Sequence, residues 1–162
     1  MQLGGNMSVR FLLMAVMFIL SFPTIMLAAQ KPDDREALSG LKTAKVIFDV
    51  RIADDLDKLE FNLKLFNETM EGMVAQGVNP EIIIAFRGPG VKLLTPAELD
   101  DEAIDLIRAL KKKGVCFEVC SIAMRSVKAD PAGLIPEVKL VANVFNSLIG
   151  YQNKGFAMIA IN

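Results

Sequence analysis

The chain reads as a three-layer α/β/α domain on a five-stranded, mostly parallel sheet. Three observations predict this. Short apolar runs rich in β-branched residues alternate with helical patterns across residues 44–162. The apolar runs are continuous rather than alternating, as expected of strands covered on both faces. Glycine, proline and capping residues fall between the segments, so each strand is separated from the next by a crossover. Strand–helix alternation of this kind builds a parallel sheet with helices on its faces.

Taken in order, residues 44–50 (AKVIFDV) form the first strand. Asp54 and Asp55 supply a cap and an acidic first turn. The helix they open carries Leu59, Leu63, Phe66, Met70 and Met73 on one stripe and Phe61 and Leu65 on a second, and Gly77 closes it. Residues 81–86 (EIIIAF) are the second strand, and 87–90 (RGPG) a loop. Thr95-Pro96-Ala97-Glu98 has the form of a capping box with proline at the first helical position. The helix it predicts buries Ala103, Ile104, Ile107 and Leu110 and ends in Lys111, Lys112, Lys113 and Gly114. Those lysines complement the negative end of the helix dipole. Residues 115–120 (VCFEVC) are the third strand, followed by a short helical segment over 121–127. Residues 138–142 (VKLVA) are the fourth strand. Asn143 caps a helix bearing Val144, Phe145, Leu148 and Ile149, Gly155 ends it, and residues 156–161 (FAMIAI) form the fifth strand.

Composition narrows the chemistry. At 162 residues with 52% apolar content, the chain suits one domain with a sizeable core. Eighteen basic and 19 acidic residues leave a net charge of −1, which gives no electrostatic footprint for nucleic acid. There is no histidine, so the commonest general base and transition-metal ligand is missing. Two cysteines cannot build a structural zinc site in one chain. Neither a metal nor a cofactor is expected.

Arg10 precedes an apolar run over 11–20, Pro23 and Thr24 interrupt it, and Met26-Leu27-Ala28-Ala29 ends in small residues. Residues 1–29 are expected to be a signal peptide, with an uncleaved anchor facing the periplasm as the alternative, since 11–29 is long enough to span a bilayer. Residues 30–43 are a polar lead-in and 44–162 the domain. The mature protein is therefore expected in the periplasm, touching a membrane only if the segment stays uncleaved.

Export invites a disulfide, but Cys116 and Cys120 lie on one strand, four residues apart. That separates them by roughly 13 Å at about 3.3 Å per residue, whereas a disulfide needs Cα atoms within about 7 Å. Cys116, early in the strand, reads as a buried small hydrophobe. Cys120 closes the strand at the carboxyl edge of the sheet, where open α/β folds bind ligands. The segment from Ser121 aims a helix N-terminus at its sulfur, an arrangement that favours thiolate, and Arg125 lies one turn on. Packing at a strand end is the competing reading of Cys120.

Residues 114–122 (GVCFEVCSI), Met124-Arg125, residues 130–136 (DPAGLIP), the tail 148–157 (LIGYQNKGFA) and the loop 88–94 (GPGVKLL) resemble the DsrE/DsrF-like family, over nearly all of 44–162. The resemblance implies a five-stranded parallel sheet and a homo-oligomer, trimer or hexamer. Cytoplasmic relatives carry sulfur as a cysteine persulfide, and the family cysteine matches Cys120. Exported relatives often show a histidine before the glycine loop; Phe86 or Arg87 stands there in this chain. The resemblance thus implies a sulfur carrier, at most sulfurtransferase-like, exchanging with a donor or acceptor protein. Cys120 is its reactive group, and Ser121, Arg125, Arg87, Gly88, Gly90 and Asn67 are candidates for lining the crevice. A non-catalytic ligand-binding or assembly module with a structural cysteine is the alternative, and a redox sensor pairing through Cys120 between chains a third.

Overall fold

The computed structural model describes residues 34–162. The expected signal peptide over 1–29 lies outside the described residues. Among the described residues no helix is long and apolar enough to cross a membrane.

Five strands form one sheet in the order β4-β3-β2-β1-β5, every neighbouring pair parallel. They are β1 (Thr43–Val50), β2 (Asn79–Phe86), β3 (Cys116–Cys120), β4 (Val138–Val141) and β5 (Ala157–Ile161). A one-turn helix, α1 (Arg35–Leu38), precedes them within the polar lead-in. The long helices are α2 (Leu56–Ala75), between β1 and β2, and α3 (Asp101–Lys112), between β2 and β3. The short α4 (Ser121–Ser126) follows β3, and α5 (Val144–Asn153) links β4 to β5.

Strand order determines where the helices sit. From β1 to β4 each crossover steps the same way across the sheet; the last one reverses and returns to the far side of β1. Right-handed crossovers then put α2 and α3 on one face and α5 on the other. Side-chain partners agree. The Phe48 ring stacks at 4.5 Å on Phe66 of α2, while Glu118 accepts a hydrogen bond from Tyr151 of α5. Register extends this alternation across the sheet, because Phe48, Ile84 and Phe117 are in line, as are Asp49, Ala85 and Glu118. The first row faces α2 and α3; the second faces α5.

The core between the sheet and α2/α3 contains Leu59, Leu63, Phe66, Ile107 and Leu110, all essentially inaccessible to solvent. The second stripe expected on α2 differs: Phe61 and Leu65 remain exposed. Asp55 caps α2 by accepting from the Lys58 amide at 3.0 Å, and Asn143 caps α5 through the Phe145 amide at 3.0 Å. The lysines at the end of α3 lie where the helix-dipole argument puts them, and Lys113 also donates to Glu71 and Asn67 of α2.

The start of α3 departs from the sequence pattern. Thr95 to Leu99 make an isolated turn, in which the Thr95 carbonyl accepts from the amides of Glu98 and Leu99. The helix itself begins at Asp101, where Asp100 accepts from the Ala103 amide at 2.8 Å. The 3₁₀ segment Pro89–Leu94 consumes the preceding residues, burying Val91, Leu93 and Leu94. Leu94 also accepts a backbone bond from Ile135, which holds the chain at that point and delays the helix. Asp100→Ala should therefore cost about 1 kcal/mol of stability. Thr95→Ala should change it by less than about 0.5 kcal/mol. Urea unfolding of the two variants checks this; equal losses would restore Thr95 as the cap.

Candidate functional site

Cys120 is the last residue of β3 and, by register, faces α5. Its neighbour across the ladder is Val141, the last residue of β4. The chain leaves β3 into α4, which packs on the 3₁₀ segment leading to α3, and leaves β4 into α5. Adjacent strands whose connections depart to opposite faces open a crevice at the carboxyl edge of the sheet. Cys120 stands at that opening. It is 5% exposed, at the bottom of the edge rather than on it.

The cation beside it is Arg87, the residue that follows β2. The Arg87 amide donates to the Val50 carbonyl, continuing the β1–β2 ladder by one residue. Its side chain turns to the α5 face and grips Asp49 with both arms, Nε to Oδ1 at 2.6 Å and Nη2 to Oδ2 at 2.8 Å. The Phe145 ring of α5 lies 5.5 Å from the guanidinium carbon, within cation–π range. The hydrogen bond from Arg87 to Asp49 is the main influence holding the guanidinium charged; partial burial opposes it, and the nearby Cys120 sulfur adds to it. Asp49 is 6% exposed on its side chain, and Arg87 is its ion-pair partner there.

The remaining sequence candidates divide. Ser121 opens α4, and its hydroxyl oxygen accepts from Arg125 Nη1 at 2.9 Å on the exposed surface of that helix. Arg125 is thus engaged with Ser121 on that surface, while Arg87 lies near enough to Cys120 for the two to interact. Gly90 is buried so closely against the chain leaving β1 that a Cβ there would lie 2.7 Å from Ile52 Cγ1 and 3.0 Å from the Ile52 carbonyl. Gly88 has a positive φ of 74°, and a Cβ would come within 3.1 Å of Arg51. Both glycines serve the packing of the loop on the chain leaving β1. Asn67 requires a correction. It bonds Glu71 and Lys113, and Lys113 caps α3 before β3 begins, so Asn67 is on the α2/α3 side and at the amino edge of the sheet. It does not reach the crevice.

Composition and spacing did not single out a second buried carboxylate under α5. Glu118, two residues before Cys120 on the same face, has a side chain only 2% exposed. Its Oε1 accepts from the Tyr151 hydroxyl at 3.3 Å and lies 3.7 Å from Lys139 Nζ, while Oε2 has no hydrogen-bond partner among the described residues. Cys116, half-buried on the same face, has its thiol pushed up first by burial and then by the Glu118 charge. The signal for both carboxylates was available: Asp49 and Glu118 each interrupt an otherwise apolar strand. Among the described residues no cluster of potential ligands for a metal ion occurs.

Tyr151 reports on this row. Burial pushes its phenol above the ordinary value of 10.0, the charge of Glu118 adds to that, and Cys116 contributes less. A raised folded-state value means the protonated phenol stabilises the fold fully below pH 10, and this contribution is lost as pH rises through the folded value. Tyr151 is the sole tyrosine and tryptophan is absent, so near-ultraviolet absorbance follows this one group. Its titration midpoint is expected above 10.0 in the native protein and part of the way back toward it in Glu118→Gln. A native midpoint at or below the ordinary value would contradict the burial seen here.

Comparison with known proteins adds the evolutionary frame. A curated relative from Aquifex aeolicus (strain VF5), described as an uncharacterized protein, is 29% identical over 125 residues, covering 71% of this chain and 55% of the relative. The chain thus spans about half the length of that relative. The fold is similar to a solved structure of a protein of unknown function from Methanobacterium thermoautotrophicum, with a TM-score of 0.60 and 22% identity over 72% of this chain and 98% of the other. The DsrE/DsrF-like family profile matches residues 45–161, from the third residue of β1 to the last of β5. With that match running through every strand, the chain belongs to the DsrE/DsrF-like family.

Proposed function

We propose that the protein is a sulfur carrier in which Cys120 accepts a sulfane sulfur and passes it on. The observation that carries this reading is the sulfur at the β3/β4 opening, close enough to the Arg87 guanidinium for their charges to interact. Family membership supports it by implying a sulfur-relay type of protein.

The chemistry balances without an outside oxidant. The Cys120 thiolate attacks the sulfane sulfur of a donor R–S–SH. The donor S–S bond breaks, R–S⁻ departs with the electron pair, and Cys120 holds S–SH. With thiosulfate the leaving group is sulfite. An acceptor thiolate then attacks the outer sulfur and releases the Cys120 thiolate. Arg87 stabilises the anionic sulfur before and after each transfer, and Asp49 holds the guanidinium in position for this. A side chain only 5% exposed favours small donors over bulky ones at this step. The carrier works in the periplasm, delivered by residues 1–29 as a signal peptide, a reading that rests on the sequence pattern alone.

The same burial gives the competing reading its footing: a non-catalytic module in which Cys120 packs the strand end. Assembly is a proposal common to both. Edge strand β5 leaves Met158 and Ile159 open on its two faces, and Phe145 and Ile149 of α5 are also exposed. Such surface suits contact between copies of the chain in a trimer or hexamer. Light scattering on the purified protein should give a trimeric or hexameric mass, and a monomer at micromolar concentration would dismiss the assembly.

Intact-mass spectrometry of the protein from a periplasmic extract tests the carrier. After exposure to inorganic polysulfide, the expected mass is that of the chain without residues 1–29 plus one sulfur atom. The adduct should persist in Cys116→Ser and vanish in Cys120→Ser. Arg87→Gln should slow its formation about tenfold, the loss of ~1.4 kcal/mol of anion stabilisation. No adduct, or the same adduct in Cys120→Ser, rejects the carrier; retention of residues 1–29 in a membrane fraction identifies the anchor instead.

A further inference from the structure

A second arginine stands in line with Cys120 and Arg87. Val50 pairs with Phe86 and Phe86 with Val119, so the residues that follow, Arg51, Arg87 and Cys120, align across β1, β2 and β3. The backbone ladder extends that far. The Arg87 amide donates to the Val50 carbonyl at 2.9 Å, and the Arg51 amide to the Ile161 carbonyl at 2.7 Å. Each is two residues beyond a position facing α5, so strand alternation puts all three on that face at the carboxyl edge. We propose that Arg51 and Arg87 hold the oxyanion end of a small sulfur donor of the thiosulfate class, laid along this row with its sulfane sulfur at Cys120; this rests on Cys120 being the carrier and narrows the donor it uses.

Arg51 is free for this. Its side chain is exposed and has neither hydrogen bond nor ion pair among the described residues. The next acids along the chain are engaged: Asp54 lies 3.9 Å from Lys92, and Asp55 caps α2. Asp49 balances the charge of Arg87, so Arg51 supplies the uncompensated positive charge of the row. Arg87 still has donors to offer. Asp49 takes Nε–H and one hydrogen of Nη2, which leaves three of its five N–H groups. Planar guanidinium forks of this kind suit the oxygens of a small oxyanion. Gly88 directs Arg51 toward its neighbour. A Cβ there would stand 3.1 Å from Arg51 Cγ and 3.8 Å from Nε, so the arginine stem leans over β2 and needs a glycine beneath it.

The dimensions of the row match the reaction. Adjacent strands lie about 4.8 Å apart, so Arg51 begins about 10 Å from Cys120 at the backbone, with Arg87 between. In-line attack puts the sulfite sulfur two S–S lengths, about 4 Å, from Cys120 Sγ. Its oxygens then lie in the stretch that both guanidinium groups overhang. The Cys120 thiolate attacks the sulfane sulfur of thiosulfate. The S–S bond of the donor breaks, sulfite leaves with the electron pair, and Cys120 holds the transferred sulfur as a persulfide anion. Total charge is conserved and no outside oxidant enters. A donor without an oxyanion end gains little from Arg51.

Loading of the purified protein, followed by intact mass, tests this with three donors. They are thiosulfate, methanethiosulfonate (a methyl in place of one oxygen, and one negative charge fewer) and inorganic polysulfide. Thiosulfate should add one sulfur atom to Cys120. Arg51→Gln should slow loading at low thiosulfate about tenfold, and loading from methanethiosulfonate by no more than about threefold. Arg51→Lys, which keeps the charge, should recover part of the thiosulfate rate. Lys112→Gln, an exposed site on the amino edge, should change neither rate. In Cys120→Ser, where transfer is impossible, calorimetry should show saturable thiosulfate binding that Arg51→Gln weakens by a similar factor. An adduct from polysulfide with none from thiosulfate, or equal thiosulfate loading in Arg51→Gln, overturns the arginine site and leaves the carrier standing. No saturable binding in Cys120→Ser, or an effect of Lys112→Gln as large as that of Arg51→Gln, overturns it as well. No adduct from any donor rejects the carrier, and the donor assignment with it.

Discussion

The carboxyl edge of this sheet depends on one ion pair. Asp49 points from the carboxyl end of an apolar strand into the layer beneath α5, where an isolated carboxylate would be costly by several kcal/mol. Arg87 meets it with a two-pronged geometry matched to the carboxylate. The pair joins β1 to the residue that leaves β2, and so sets the direction in which the Arg87-Gly88-Pro89-Gly90 loop departs. It also fixes a cation beside Cys120 and under Phe145. Lysine would not substitute, since a single ammonium cannot bind both oxygens while covering the aromatic ring as a plane.

The two carboxylates under α5 lie in one cross-strand row and are completed differently. Asp49 and Glu118 are in register through Ala85, on the same face of the sheet. Both are nearly inaccessible. Asp49 receives two short charge-assisted hydrogen bonds; Glu118 receives one long one and leaves an oxygen bare. A fold selected for stability alone has no reason to keep the second arrangement, because an apolar residue at 118 would avoid the desolvation altogether. The contrast separates a carboxylate satisfied by an arginine from one left with a single long hydrogen bond among the described residues.

Much of the architecture was legible because each layer imposes its own period. Continuous apolar runs identified all five strands to within two residues, and the caps at Asp55 and Asn143 act as the pattern suggests. The start of α3 was misleading for a physical reason. A capping box is a local signal, and the buried 3₁₀ segment with the Ile135-to-Leu94 bond is a tertiary one that overrides it. Asn67 failed similarly: its residue type says nothing about which face of α2 it occupies, and its partner Lys113 belongs to the other end of the sheet. Cys120 and Arg87 were found through strand ends and loop composition. Asp49, Glu118 and Tyr151 were not: a charge interrupting an apolar strand marks the two carboxylates, but their partners lie 38 and 33 residues away.

The burial of Cys120 limits what such a site can do, and that limit is informative. Taking a thiolate out of water is unfavourable unless a fixed charge compensates, and Arg87 is a cation the fold places near it on the α5 face. Asp49 holds that cation in place through two hydrogen bonds, so carboxylate, guanidinium and sulfur form one connected series. Under the proposed carrier reading, a persulfide on Cys120 would place its outer sulfur one bond beyond the buried Sγ, so an acceptor thiolate would need to reach less deeply than the first donor.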